Sequence, residues 1–477
     1  MGTALTRENF FKQAAVAVLV CGLAGAASAQ QTPPSTTGDK PPETAQAAPP
    51  PSSSPVPTFA VLGPSREIKL GENTWFRFGA QVQAWWKASQ DRLVQPDGGD
   101  GGYAMDFYCR RCRFFATGSV VRNVFFNVLF EAGNFGRVDP APSPNQATGT
   151  KTNGTPQILD AYGQVKFVDA FWISGGSILM PLTRNGLQPT TTYVSIDTSN
   201  VAATPVAQVN SFVLRDLGFQ ANGFFLANHL EYRAGVFQGS RQPPPVAQSA
   251  SHNAPRFVGM LSYNLWDTET GYVNGGHYYG ARRVLGVMVN GDYQILRKAG
   301  PGLPAPGSGA NQVAAIGKDK NAYWGVSGAI FLNYPINGPN PKGGDEIVGL
   351  LQFGYYDGGF RQNTAAPSAI TNAGTYPNVL QQNNYLAEAG YYNHNGHFSI
   401  FGKFEKRKIR DYYPNPLRIA QNQTWIAGGV KYYIAPFNFM NFALQYERIM
   451  NNDADLLAAA HQDGTNNITF QMQTLLY

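Results

Sequence analysis

The sequence has few charged residues for its length. Asp, Glu, Lys and Arg make up 14% of the 477 residues, whereas a soluble domain has about 25%. Long apolar runs are scarce as well. After the N-terminal segment no run of about 20 apolar residues remains, which argues against helical membrane spans. The basic residues form no dense patch with interleaved aromatics, so nucleic acid is not an expected partner.

Cysteine is rare, with three residues in the whole chain. In a regular strand the Cα atoms of Cys109 and Cys112 would lie about 10 Å apart on opposite faces, beyond the roughly 7 Å that a disulfide allows. A disulfide between them would require a β-bulge, and we interpret both as packing residues. Arg113 stands where haem attachment requires His. No cofactor or metal is expected.

Catalytic constellations are also lacking. The six histidines are scattered, and the only closely spaced pair, His394 and His397, flanks a predicted turn. The serines lie mostly in predicted loops, and none is singled out with a histidine as nucleophile and base. The sequence therefore does not predict an enzyme.

The N-terminus reads as an export signal followed by a linker. Arg7 and Lys12 precede an apolar run that ends in Ala27-Ser28-Ala29, which is typical of a secretory signal peptide. We predict a signal peptide over residues 1–29, a Pro-rich disordered periplasmic linker over 30–63, and a barrel over 64–477. The signal carries two positive charges and one negative (Glu8), so the net charge falls from +6 to +5 on its removal.

What the sequence has in abundance is aromatic residues (13%), 52 glycines, and alternation of polar and apolar side chains. Phe107–Ala132 shows the pattern in two runs joined by Gly118-Ser119-Val120. Side chains of equal parity share one face of a strand, so Arg111 and Arg113 point the same way. The alternation recurs to the last residue, as expected of a transmembrane antiparallel β-barrel.

Sixteen segments fit membrane strands of about 9–13 residues. They are 74–87, 107–118, 121–132, 157–167, 171–182, 216–225, 229–237, 256–266, 281–293, 321–333, 345–356, 384–393, 397–408, 424–433, 439–448 and 467–477. Connections after odd segments are long and most of those after even segments are short, although 267–280 and 334–344 are longer than the rule prefers. We predict an all-β barrel of 16 strands in the outer membrane of a Gram-negative-type bacterium, with long loops outside and short periplasmic turns.

Polar residues of each predicted strand must face the lumen, because a charge on the lipid face costs about 2–4 kcal/mol at mid-membrane. Parity assigns eleven cations there as pore-lining, anion-binding candidates: Arg77, Lys87, Arg111, Arg113, Lys166, Arg233, Arg256, Arg282, Lys403, Arg407 and Lys431. The inward acids are Glu131, Asp160, Asp216, Glu231, Glu388, Glu405 and Glu447. Cations therefore exceed acids by four, a modest bias toward anions.

Parity also makes predictions for the outer face. Arg110 and Arg122 fall on the lipid side near strand ends, where they could reach lipid headgroups unless a bulge turns them inward. Trp172, Trp266, Trp324 and Trp425 lie near strand ends and are expected in the interfacial girdles.

Several short motifs carry a family resemblance. They are Phe78-Gly79-Ala80-Gln81-Val82-Gln83, the arginines of 110–113, Ile158-Leu159-Asp160-Ala161-Tyr162, and the Arg215-Asp216-Leu217-Gly218 and Glu231-Tyr232-Arg233 motifs. In these the chain resembles the phosphate-selective porin O and P family. The resemblance implies a homotrimeric channel whose third loop folds inward and whose lumen attracts anions such as phosphate. Neither the third predicted loop (183–215) nor the fifth (294–320) has a dense lysine cluster. The sequence therefore supports a porin function better than it supports specificity for phosphate.

The function expected from the sequence is passive diffusion of small hydrophilic solutes with anion preference. Arginine suits an oxyanion because its planar guanidinium can hydrogen-bond two oxygens at once. Outer-membrane lipid and lipopolysaccharide are the expected surroundings. Two alternatives stay open: a non-selective general porin, and a structural or adhesive barrel without conductance.

Overall fold

The computed structural model describes residues 67–90, 103–138, 154–202, 214–239, 255–296, 321–357, 381–410, 422–435, 439–452 and 464–476. The predicted signal peptide and linker lie outside these ranges. Within them, no helix combines the length and apolar character needed for a membrane span.

The described chain consists almost entirely of strands. In order they are β1 (Ile68–Lys69), β2 (Trp75–Gln90), β3 (Tyr103–Val121), β4 (Val124–Phe135), β5 (Gln157–Val168), β6 (Phe171–Leu179), β7 (Arg215–Phe225), β8 (Leu230–Phe237), β9 (Arg256–Asn264), β10 (Val284–Leu296), β11 (Asn321–Pro335), β12 (Glu346–Asp357), β13 (Gln382–Asn393), β14 (Phe398–Ile409), β15 (Gln423–Ala435), β16 (Met440–Asn451) and β17 (Gly464–Leu476).

Strands β2–β17 form a closed antiparallel barrel of 16 strands. Each pairs with the next along the chain, and β17 returns to pair with β2 from Asn467↔Ser89 to Leu476↔Ala80. The two-residue strand β1 adds to the edge of β2. All sixteen predicted segments are strands, so the predicted fold is confirmed, with ends that differ by a few residues. Closure leaves no unpaired sheet edge in the barrel wall.

The two faces of the wall differ in polarity. Outward side chains are large and apolar, such as Phe114 (65% exposed), Phe219 (70%) and Leu351 (59%). Inward side chains are mostly polar and buried, such as Gln83 and Gln294, both at 0% exposure. A closed barrel with an apolar exterior satisfies its backbone internally and can span a bilayer. The protein is an outer-membrane barrel.

Three local predictions are wrong. Gly118, Ser119 and Val120 lie within β3, and the hairpin instead turns at Arg122 and Asn123, where Asn123 has a φ of 66°. The turn forms here because Asn tolerates the left-handed backbone conformation that a tight turn requires. Arg122 is therefore in the turn and not on the lipid face.

Trp172 and Trp425 face the interior and do not belong to a lipid-facing girdle, with exposures of 3% and 4%. Each packs against a lumen cation, Lys166 at 5.0 Å and Arg407 at 5.2 Å from the ring centroid. Trp266 and Trp324 are half-buried, as girdle residues would be.

Candidate functional site: an arginine cluster facing loop 3

The connection between β6 and β7, residues 180–214, is called loop 3 here. Most of its described part, 180–202, is buried inside the barrel, and it includes one 3-10 turn at Asn185–Leu187. Its path is set near its start by strand side chains: Asn290 Nδ2 donates to Pro181 O at 2.6 Å, and Ser327 Oγ donates to Leu182 O at 2.8 Å. Loop 3 therefore leaves β6 toward the lumen and not away from the barrel.

One wall holds loop 3 through β13, β14 and β15. Glu388 accepts a hydrogen bond from the Ser195 amide at 2.8 Å, and Glu405 accepts from Ser199 Oγ at 2.9 Å. Lys431 Nζ donates to the carbonyls of Tyr193 and Ser195, the latter at 2.9 Å. Three predicted lumen charges are thus engaged by loop 3 itself.

Another part of the wall, at β3, presents two consecutive arginines to the same loop. Arg111 donates through one nitrogen to Gln83 Oε1 at 2.8 Å and through the other to Asp197 of loop 3. Arg110 Nε donates to the second carboxylate oxygen of Asp197 at 3.1 Å. Burial acts to raise the pKa of the Asp197 carboxyl, but the two guanidiniums outweigh it and hold the pKa well below its usual range. Asp197 is therefore a carboxylate clamped between two arginines.

A β-bulge explains how neighbouring residues reach one carboxylate. In the pairing of β2 with β3, Gln83 lies opposite Arg111 while Ala84 lies opposite Cys109, so Arg110 has no partner. An extra residue on one strand bends it and re-aims side chains. The sequence-based placement of Arg110 on the lipid face is wrong for this reason.

The bulge also overturns our interpretation of the cysteines. It shortens the Cα–Cα distance between Cys109 and Cys112 to 6.3 Å, and the two form a disulfide. That distance lies within the range that a disulfide permits. The disulfide spans the bulged residues and links the two ends of the segment that carries Arg110 and Arg111.

Two further arginines complete what we call the arginine cluster, defined as Arg110, Arg111, Arg113 and Arg215. Arg113 donates to Glu131 on β4 and, at 2.8 Å, to Thr190 of loop 3. Arg215 binds both carboxylate oxygens of Asp160, with Nε at 3.0 Å. Four guanidiniums thus face three carboxylates, leaving one positive charge in excess.

A cavity of about 100 Å³ lies between this cluster and loop 3. Its lining includes Arg111, Arg113 and Arg215, together with Tyr193 and Tyr272. Three buried amide atoms at the cavity have no hydrogen-bond partner among the described residues: Gln81 Nε2, Gln188 Nε2 and Asn127 Oδ1. The cavity is polar enough and large enough to hold water or a small hydrophilic solute.

The other cations assigned to the lumen are largely neutralised by neighbours. Buried pairs with N–O distances of 4.0 Å or less join Arg233 to Glu231, Arg256 to Asp292 and Lys403 to Glu405, while Arg77 pairs with Glu67 and Lys166 with Asp169 nearer the strand ends. Arg282 lies outside the strands and donates to Thr268 O at 3.1 Å. Within the described ranges, Lys87, Arg407 and Lys431 have no ion pair, and Lys431 donates to backbone carbonyls instead.

Sequence reasoning missed two members of the cluster. Arg215 belongs to a motif that we noted but did not assign to the lumen, because it precedes the predicted strand and has the parity opposite to the inward Asp216. Arg110 was missed because parity counting assumes a regular strand. The signal that could have found it is the pair Cys109 and Cys112 in an exported chain, since oxidation in that setting is common.

No family model matches the chain, and no curated protein matches it significantly. Solved structures do match. The anion-selective porin from Comamonas acidovorans shares 9% identity at a TM-score of 0.52, covering 84% of this chain and all of that one. The fold is that of an outer-membrane porin. The high-pH structure of Pseudomonas putida OprB is similar at a TM-score of 0.51 and 9% identity, covering 84% of this chain and 94% of that one. At such identities the likeness concerns the porin fold alone.

Proposed function

We propose that this protein is a porin for passive diffusion of small hydrophilic solutes, with a preference for anions. The observation that supports the preference is the arginine cluster, which faces loop 3 across a polar cavity and carries one positive charge more than its three carboxylates. A small excess has a large effect there, because a narrow passage with low-dielectric walls focuses the field.

Oxyanions such as phosphate are the solute class that guanidiniums suit best. We further propose that residues 1–29 direct export, that 30–63 form a periplasmic linker, and that the barrel assembles as a homotrimer among outer-membrane lipid and lipopolysaccharide. These proposals rest on the sequence.

The second candidate is a general porin without selectivity. It is favoured by the pairing of Arg233, Arg256 and Lys403 with acids, which leaves their net contribution to the lumen near zero. The two candidates differ in the reversal potential under a KCl gradient, which is of anionic sign for an anion-preferring channel and near zero for a non-selective one.

The test uses purified protein in planar bilayers under a tenfold KCl gradient. We expect discrete conductance steps and a reversal potential of anionic sign. The double variant Arg111→Gln/Arg113→Gln leaves two arginines of the cluster against three carboxylates, so its anion preference should fall and its reversal potential should move toward zero. The matched control is Lys406→Gln/Lys408→Gln, whose side chains have the same spacing on the outward parity of β14; it should leave the potential unchanged. Absence of steps would exclude the porin function, and a cationic wild type would exclude the anion preference.

A further inference from the structure

A second connection enters the barrel from the end opposite to loop 3. It joins β9 to β10 through residues 265–283, which we call the β9–β10 connection. Loop 3 follows β6, and three further strands separate it from this connection, so the two segments start at opposite ends of the barrel. Residues 274–280 of the connection are all buried. A turn of a porin barrel ordinarily needs only a few residues, so this length invites an explanation.

The base of the connection is closed by hydrogen bonds that extend the β9–β10 ladder. Leu265 N donates to Leu285 O at 2.8 Å, and Asp267 N donates to Arg283 O at 2.9 Å. Arg283 N returns a bond to the Asp267 carboxylate at 2.7 Å. Residues 268–282 are therefore a closed loop inserted at the tip of a complete hairpin.

The inserted loop meets loop 3 inside the lumen through its own backbone amides. Asn274 N donates to Leu187 O at 3.1 Å, and Gly276 N donates to Thr192 Oγ1 at 3.0 Å. The approach at Gly276 is so close that a Cβ there would lie 2.2 Å from Thr192 O. Only glycine fits this contact, which indicates that the two segments are built to touch.

A buried ionic cluster joins the same two segments. Arg184 of loop 3 donates at 2.8 Å both to Glu269 Oε1 and to Gly275 O. Tyr278 OH also donates to Glu269. The Arg184 and Glu269 side chains are 2% and 4% exposed. Removing one partner of a buried pair leaves an uncompensated charge, so this contact resists separation.

Wall side chains hold the rest of the connection in place. Arg233 donates to Tyr272 O at 2.8 Å and to Gly271 O at 2.9 Å. Glu346 accepts from the Gly280 amide at 2.8 Å. Arg233 was assigned to the lumen as an anion ligand, but its guanidinium is used to fix this segment.

We propose that the β9–β10 connection is a second constriction element, which narrows the conducting path together with loop 3. The path is then set by two segments from opposite ends that meet at Leu187–Asn274 and Arg184–Glu269. This inference rests on the proposed channel function, because it concerns the size of the conducting path. It differs from that function in its determinant, since the hydrogen bonds that join the two segments to each other are made by Arg184, Leu187 and Thr192 of loop 3 and not by the arginine cluster.

The first test replaces residues 268–282 with Asn-Gly, a pair that favours a two-residue hairpin turn. Because Asp267 and Arg283 are already paired, the hairpin can close without residues 268–282. We expect single-channel conductance in KCl to rise at least twofold. If the shortened protein folds and its conductance equals that of the wild type, the inference is wrong. The proposed porin function would still stand in that case, because the wild type conducts. If neither protein conducts, both proposals fail. A silent wild type with a conducting variant would exclude the proposed porin function and, with it, this inference.

Point variants test the contact without removing the loop. Glu269→Gln should raise the conductance by at least half, because it loses the charge that anchors Arg184. The control is Asp345→Asn, a carboxylate in the β11–β12 connection that bonds Tyr391 OH at 2.9 Å and has no contact with loop 3 among the described residues. Equal conductance in Glu269→Gln and wild type would contradict the inference.

A cross-link gives a result even if the shortened protein does not fold. Leu187→Cys and Asn274→Cys are introduced with Cys109→Ser/Cys112→Ser, so that a short bis-methanethiosulfonate reagent, which forms one disulfide with each cysteine and releases a sulfinate each time, can react only with the new pair in the barrel. In Glu269→Gln carrying these changes, cross-linking should return the conductance to the wild-type value. Efficient cross-linking with no effect on the raised conductance would show that the connection does not limit the path.

Discussion

The carboxylate of Asp197 is the most informative single charge in the proposed channel. It lies on loop 3 and receives Arg110 and Arg111 from the bulged strand β3. Asp197→Asn keeps the side-chain shape and removes one negative charge. The local balance of the arginine cluster then changes from one positive charge in excess to two.

The size of the effect follows from Coulomb's law. A unit charge about 6 Å from a passing ion acts with about 0.7 kcal/mol at the dielectric constant of water and about 3 kcal/mol at an effective value of 20. Because 1.4 kcal/mol corresponds to a factor of ten, the weaker figure gives about a threefold rise in anion preference. Salt weakens the interaction between the charge and the passing ion, as a higher dielectric constant does, so we expect about a threefold rise in anion preference.

The assay is the reversal potential of single channels in a KCl gradient. Loop 3 keeps its bonds to Glu388, Glu405 and Lys431 in this variant, so a large change in conductance is not expected. Asp345→Asn serves as the control, since it neutralises a carboxylate far along the chain from the cluster. An unchanged permeability ratio, or a shift toward cations, would refute the reasoning that these arginines act on passing ions.

Two further predictions concern the same clamp. Cys109→Ser/Cys112→Ser should lower the free energy of unfolding by about 2 kcal/mol, the value that loop entropy gives for so short a loop, and this is measurable as a lower midpoint in denaturant. Without the disulfide Arg110 is no longer fixed, so Asp197→Asn should change the selectivity less in this background than in the wild type. Equal changes in both backgrounds would contradict this. The lowered pKa of Asp197 means that the contact is fully present above the ordinary Asp pKa of about 3.9 and is lost only as the pH falls below it. Wild type and Asp197→Asn should therefore differ in selectivity by a constant factor from pH 7 to about 4.5, and a midpoint within that range would disprove it.

The barrel was predictable because its pattern is local and repeated. Each strand carries its own alternation of apolar and polar residues, and sixteen such patterns leave little freedom in the fold. Strand ends were less certain, as at β7, where Arg215 joins the strand, because a ladder ends where hydrogen bonds stop and not where alternation stops.

The interior was predicted less well because it depends on non-local contacts. Parity places Arg233 in the lumen but cannot show that Tyr272 and Gly271 from a distant connection will occupy its guanidinium. The length of that connection was visible as an exception to the short-turn rule. Its inward path depends on Arg184 and Glu269, residues 85 positions apart, which no local pattern links.

The bulge at Arg110 has a consequence for how strand β3 tolerates insertions and deletions. Losing one residue from a membrane strand normally inverts every side chain on one side of the gap, which places charges in lipid. In β3 the inversion is already present: Phe107 is outward at 72% exposure, Tyr108 is inward, and Arg111 is inward again. Deletion of Arg110 would leave Phe107 and Arg111 on their present faces in a regular ladder with β2, while Asn134 of β4 would lose the residue opposite it, because Cys109 pairs with Phe135 and Arg111 with Gly133. Position 110 is thus a place where the wall of this barrel can gain or lose a lumen charge without inverting the rest of β3, with the irregularity moved to Asn134 on β4.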